Sequence, residues 1–165
     1  MHGLSVIANS SPLIHLARLE RLDILFSLYQ EIVIPEAVFE EIVVNGHQRP
    51  GSLAIRQHCE EKLIHVKKLT DEKLFRAFKR ELDYGEAAVL TLAMETRHDL
   101  ILLDEYEARK TASLYHLKYT GFIGVILKAY KAGLIKNFKA TLDQAIKNGF
   151  YINHELYKQL MNFDK

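Results

Sequence analysis

The chain has 165 residues, 48% of them hydrophobic, and its 22 Lys and Arg against 21 Asp and Glu leave a formal charge of +1. That length suits one domain with a packed core and excludes a disordered or low-complexity protein. A single cysteine, Cys59, excludes an internal disulfide framework and a thiolate-rich metal site, and near-neutral charge means that any nucleic-acid role must show in local chemistry.

Residues 4–8, Leu-Ser-Val-Ile-Ala, read as a strand that stops at Asn9-Ser10-Ser11-Pro12. Ser11 is the expected N-cap of the next helix, with Pro12 at the first helical position, where a missing N–H costs nothing. A short helix at 22–28 follows. A second strand at 31–34 is closed by Pro35, which opens a helix running to about Val44. Breakers in Asn45-Gly46-His47-Gln48-Arg49-Pro50-Gly51 predict a loop. Then come a polar helix at about 52–61, a strand at 63–66, a charged amphipathic helix at 70–80, and a strongly apolar helix at 86–96 introduced by Asp83. Leu100-Ile101-Leu102-Leu103 is apolar at every position, as expected for a strand buried on both faces in the middle of a parallel sheet. A helix from 105 to about 117, a weak strand at 118–120 and three more helical stretches finish the chain. Strands alternating with helices predict a three-layer α/β domain with a mostly parallel sheet. No apolar stretch is long enough to cross a bilayer, and Met1-His2-Gly3 shows no leader layout, so a cytoplasmic protein is expected.

Ligands of an open parallel sheet bind beyond the carboxyl ends of its strands. Asn9, Ser10 and Ser11 follow the first strand, and Asp104 and Glu105 follow the strand at 100–103. These are oxygen donors without sulfur or imidazole, a set that suits Mg²⁺ or Mn²⁺. Two helical glutamates join them. On a helical wheel Glu36 and Glu40 share one side, whereas Glu41 falls at the edge of the apolar face. Glu86 shares a stripe with Leu90 and Ala93 on a helix with almost no polar side, where a carboxylate is costly unless paired, protonated or bound to metal. Each has an ordinary reading too: Glu86 completing a capping box with Asp83, Glu41 snorkelling, Asp104 as a helix cap, Asn9 as a turn residue, Glu105 meeting a helix dipole. There is no Gly-rich phosphate loop, no His-Glu-x-x-His helix and no glycine-flanked serine elbow. Between 118 and 148, six lysines (118, 128, 131, 136, 139, 147) stand against one acid, Asp143, either tracking phosphates or forming a solvated face. Arg109, on the helix after Asp104, is the better single candidate for a phosphate clamp.

Six segments in order carry a resemblance. They are Val6-Ile7-Ala8-Asn9-Ser10-Ser11-Pro12-Leu13-Ile14, Ile34-Pro35-Glu36-Ala37-Val38-Phe39-Glu40-Glu41-Ile42, Leu82-Asp83-Tyr84-Gly85-Glu86-Ala87-Ala88-Val89-Leu90, Leu100-Ile101-Leu102-Leu103-Asp104-Glu105, Ala108-Arg109-Lys110-Thr111-Ala112, and Gly121-Phe122-Ile123-Gly124-Val125-Ile126-Leu127. Together they resemble the PIN domain family, in particular its prokaryotic subgroup of predicted nucleic-acid-binding, toxin-like proteins. The resemblance implies one PIN-like domain over residues 1–165, an α/β/α fold, and a Mg²⁺- or Mn²⁺-dependent ribonuclease. By it, Asn9, Glu41, Glu86 and Asp104 are catalytic. Asn9, Glu86 and Asp104, with Glu105 as a further ligand, hold metal, and Ser10, Ser11 and Arg109 meet RNA. A partner antitoxin and a homodimer are also implied. The family usually has Asp where this chain has Asn9, so one negative charge is missing; the rival expectation is a non-catalytic module that binds nucleic acid or a protein.

Overall fold

A computed structural model describes residues 3–163; the reading of Met1 and His2 concerns residues outside that range. Five parallel strands form the sheet: β1 (Ser5–Ala8), β2 (Glu31–Pro35), β3 (Ile64–Lys67), β4 (Leu100–Leu102) and β5 (Tyr119–Thr120), in the order β3-β2-β1-β4-β5. In register, Val6 lies opposite Ile32 on one side and Leu100 on the other. Val6, Ile7 and Ala8 are fully buried, because helices cover both faces of the sheet. β1, rather than β4, occupies the centre. β4 lies one strand from the edge, and its Ile101 and Leu102 are buried as expected.

Among the described residues, ten α-helices flank the sheet: α1 (Ser10–Arg18), α2 (Asp23–Leu28), α3 (Glu36–Phe39), α4 (Ser52–Glu60), α5 (Glu72–Phe78), α6 (Tyr84–Glu95), α7 (Tyr106–Leu114), α8 (Phe122–Lys131), α9 (Phe138–Lys147) and α10 (His154–Phe163). On one side α8 packs on α1 and α2; on the other α6 packs on β1 and β2 and is flanked by α3, α5 and α7. The result is a three-layer α/β/α arrangement. α6 is buried from Gly85 to Leu92, which is why it lacks a polar face. No helix among the described residues is long and apolar enough to cross a membrane.

Three local expectations need correction. α1 starts two residues early: Asn9 holds the cap position in extended backbone, with its N–H on Leu102 O at 3.0 Å. Ser11 is therefore the second helical residue and Pro12 the third, still in the first turn, where a missing N–H breaks no intrahelical bond. The helix expected to reach Val44 is not uniform. After α3 it widens into a π-helical turn, Glu40–Val44, closed by Asn45 N donating to Glu40 O at 2.8 Å. The charged helix at 70–80 shortens to α5 because Asp71 caps it, accepting from Leu74 N at 2.9 Å.

Candidate active site

The strand order turns back between β1 and β4, since β2 and β3 lie to one side of β1 while β4 and β5 lie to the other. A crevice opens at such a point beyond the carboxyl ends of the strands. Asn9 leaves β1 there, and Asp104 and Glu105 leave β4.

Asn9 is 5% exposed, and its Nδ2 donates to Glu105 Oε2 at 3.4 Å. The amide thus meets a carboxylate that an aspartate in the same place would repel. Asp104 is anchored twice: Oδ1 accepts from Phe122 N at 2.8 Å, in the first turn of α8, and Oδ2 accepts from the Ser11 hydroxyl at 3.2 Å. Asp104 therefore does act as a helix cap, though for α8 rather than α7. Arg109 stands beside it, Nη2 lying 3.9 Å from Asp104 Oδ1. Its Nε donates to Leu103 O at 2.7 Å, and its guanidinium lies 5.3 Å from the Tyr119 ring centre. Both groups crowd Gly121, where a Cβ would collide with them.

From the other side of the crevice comes the start of α6. Asp83 and Glu86 form a reciprocal capping box: Glu86 N donates to Asp83 Oδ1 at 2.8 Å, and Asp83 N donates to Glu86 Oε2 at 3.1 Å. The ordinary reading of Glu86 is thus realised, yet the residue is only 7% exposed and remains among other acids. Burial pushes its carboxyl up, helped by the charges of Asp83, Glu105 and Glu41 and opposed by the bond from Asp83 N. Glu105 is also raised, chiefly by burial and further by Asp104 and Asp83. These mutual influences tie the two halves of the crevice into one acidic field.

Glu41 reaches the field by a route the wheel did not foresee. The wide π turn takes it off the apolar edge, and it is exposed rather than inward-facing. Its Oε2 accepts from the Ser10 hydroxyl at 2.7 Å. A Cβ on Gly85 would lie 2.8 Å from that oxygen, 3.4 Å from Asn9 Oδ1 and 3.8 Å from Asp83 Oδ1, so three oxygens converge over a residue without a side chain. A π turn within a helix often marks a functional position. Glu40, Glu41, Asp83, Tyr84 and Gly85 line an open cleft of about 450 Å³ at this mouth.

The expected site residues Asn9, Ser10, Ser11, Glu41, Glu86, Asp104, Glu105 and Arg109 therefore lie around one end of the sheet. Asp83, which the sequence marks as a helix cap, joins them, because its position three residues before Glu86 brings it near the same oxygens. Three of the six lysines have partners of their own. Lys128 lies over Tyr29, Lys131 over Phe163, and Lys139 bonds Asp143 at 2.6 Å, so these three serve their own surroundings.

Among the described residues, no three His, Cys, Asp or Glu side chains form a ready coordination group. The donor chemistry nevertheless fits a hard divalent cation. It is all oxygen, it includes carboxylates whose ionisation burial and like charge disfavour, and Asn9 adds an amide carbonyl.

A family model of the PIN domain matches residues 5–164. No curated protein matches the chain. PIN domains are generally nucleases, hydrolases that typically use divalent metals. With its five-stranded parallel sheet, its strand-end acids and a match over nearly its whole length, the chain belongs to the PIN domain family.

Proposed function

We propose that this protein is a divalent-metal-dependent ribonuclease that hydrolyses phosphodiester bonds of RNA. The observation that carries this reading is the meeting of Asn9, Glu41, Asp83, Glu86, Asp104 and Glu105 at the β1–β4 turn-back point, with the Glu86 and Glu105 carboxyls pushed up by burial and by their neighbours. Asn9, Glu86, Asp104, Glu105 and Asp83 would hold Mg²⁺ or Mn²⁺, with Glu41 acting directly or through water. Bound there, the ion would activate a water and neutralise charge on the phosphoryl oxygens.

The chain's own groups do the positioning. Phe122 N and Ser11 hold the Asp104 carboxylate in one orientation, and the capping box does the same for Glu86. Ser10 steers Glu41 toward the space over Gly85. The charge absent at Asn9 would be supplied by Glu105, to whose carboxylate the Asn9 amide donates. Arg109, braced on Leu103 O, is a cation fixed beside the acids and suited to a phosphate oxygen.

Mn²⁺-dependent, chelator-sensitive cleavage of single-stranded RNA is the expected activity, and Asp104→Asn and Glu86→Gln should abolish it. Full activity in both variants would overturn the assignment. Asn9, standing where the family resemblance implies Asp, favours a second reading, a PIN-fold module that binds without hydrolysis. That reading requires an absence of both Mn²⁺-induced thermal stabilisation and RNA cleavage. A toxin role, a partner antitoxin and a homodimer are proposals that rest on the resemblance to the toxin-like subgroup.

A further inference from the structure

Tyr84 stands between the acidic mouth and a second cleft. It lines the opening of about 450 Å³ beside Glu41 and Gly85, and also a neighbouring hollow of about 250 Å³ bordered by Phe75, Lys68, Glu36 and Glu72. Oxygens of Glu41, Asn9 and Asp83 converge over the next residue, Gly85. The tyrosine is thus one position along α6 from the point where the oxygens of the proposed cleavage centre meet.

Its ring is held and yet uncovered. Phe75 meets it edge-on, with ring centres 5.3 Å apart and planes at 79°. Lys79 Nζ lies 5.2 Å from the Tyr84 ring centre and 5.3 Å from that of Phe75. Phe75 belongs to the core, so these contacts fix the tyrosine from the α5 side. Tyr84 nevertheless exposes 52% of its surface, whereas Gly85 to Leu92, which follow it on α6, are all buried. Core packing therefore leaves that half of the ring unexplained. A ring already fixed in place loses little entropy when a flat partner covers it.

The surroundings choose the partner. On the nuclease reading, substrate lies in the cleft that Tyr84 lines. The charges bordering the hollow are of both signs, Lys68 against Glu36 and Glu72, so it is not a groove that tracks phosphates. A nucleobase is flat, uncharged and tethered to the phosphate on which the acidic mouth would act, and every base has a face to stack. In a duplex both faces are already covered, so only an unpaired base can be received.

We propose that Tyr84 is a stacking platform for a base of single-stranded RNA, beside the phosphate held at the acidic mouth. The proposal rests on the nuclease reading and adds to it a base-contacting residue that selects unpaired RNA.

The test measures binding apart from cleavage. Fluorescence anisotropy of a labelled single-stranded RNA, in EDTA and in Ca²⁺, gives Kd and its salt dependence for the wild type, Tyr84→Ala, Tyr84→Leu and Tyr84→Trp. Tyr84→Ala and Tyr84→Leu should each raise Kd about tenfold, the loss of one stacked base, while the log–log salt slope stays that of the wild type because no phosphate contact is lost. Tyr84→Trp should bind at least as tightly as the wild type, which also shows that the position tolerates substitution. A ribose-phosphate chain of the same length without bases, and a duplex of the same sequence, should bind all four proteins alike. Wild-type Kd in Tyr84→Leu, or an equal loss with the base-free chain, would overturn the proposal, as would a wild type that binds no single-stranded RNA in either condition. A loss confined to RNA carrying bases, in a protein that cleaves nothing with Mn²⁺, would support the platform and remove the nuclease reading instead. Mn²⁺-dependent cleavage with Kd and KM indifferent to Tyr84 would keep the nuclease and remove the platform.

Discussion

Replacing Asp104 by Ala and by Asn separates its structural role from its chemical one. The carboxylate accepts from Phe122 N at 2.8 Å and from the Ser11 hydroxyl at 3.2 Å, and its side chain is 19% exposed. Alanine removes both acceptors. The Phe122 bond is charge-assisted, caps α8 and has no substitute nearby, so its loss costs about 1.5–3 kcal/mol. Ser11 is only half-buried and can turn to water, and Arg109, a third exposed at 3.9 Å, contributes little. A total of about 2–3 kcal/mol lowers Tm by roughly 4–12 °C for a chain of this size. Asparagine keeps an acceptor for Phe122 N and loses only charge, so Asp104→Asn should melt within a few degrees of the wild type while losing Mn²⁺-dependent cleavage. Thermal unfolding in EDTA and a gel assay on single-stranded RNA read the two effects separately. An unshifted Tm in Asp104→Ala would refute the structural accounting, and wild-type cleavage in Asp104→Asn would refute the catalytic one.

Other outcomes follow from the same geometry. Glu86 and Glu105 have folded-state pKa values raised above those of the unfolded chain, so the fold binds more protons than the unfolded chain above the ordinary carboxyl range, and stability falls as pH rises through the folded values. In EDTA the Tm advantage of the wild type over Glu86→Gln, whose amide can keep the capping box without the charge, should therefore shrink as pH rises above the ordinary carboxyl range, the histidines being common to both; parallel curves would contradict this. Saturating Mn²⁺, at 100 times its Kd, should add about 2.7 kcal/mol to the wild type and less to Glu86→Gln, measured by thermal shift. Gly85→Ala places a Cβ 2.8 Å from Glu41 Oε2, which belongs to an exposed, movable side chain, so Tm should hold or rise while cleavage falls. Asn9→Asp sets a second carboxylate against Glu105, at the 3.4 Å now spanned by an amide hydrogen bond; it should lower Tm in EDTA and tighten Mn²⁺ binding, and an unchanged Mn²⁺ affinity would place Asn9 outside the site.

Much of this protein follows from local pattern alone. Leu100 to Leu103, apolar at every position, could only be buried on both faces, and strands alternating with helices required parallel pairing with crossovers on both sides. The strand-end acids were visible for the same reason, because a parallel sheet points its carboxyl ends toward one crevice. Tertiary structure decided what no window of residues contains. Glu41 came to its place through a π turn whose extra residue defeats a 3.6-residue wheel, and through a hydroxyl 31 positions away on Ser10. Asp104 caps α8, not the helix that follows it, because β4 and α8 meet in space and not in sequence. Glu105 feels the charge of Asp83 across the crevice, and Arg18 and Arg49 line one crevice from separate parts of the chain. Periodicity governs which face of an element is buried; the company a polar side chain keeps depends on which elements pack together, and only the folded chain settles that.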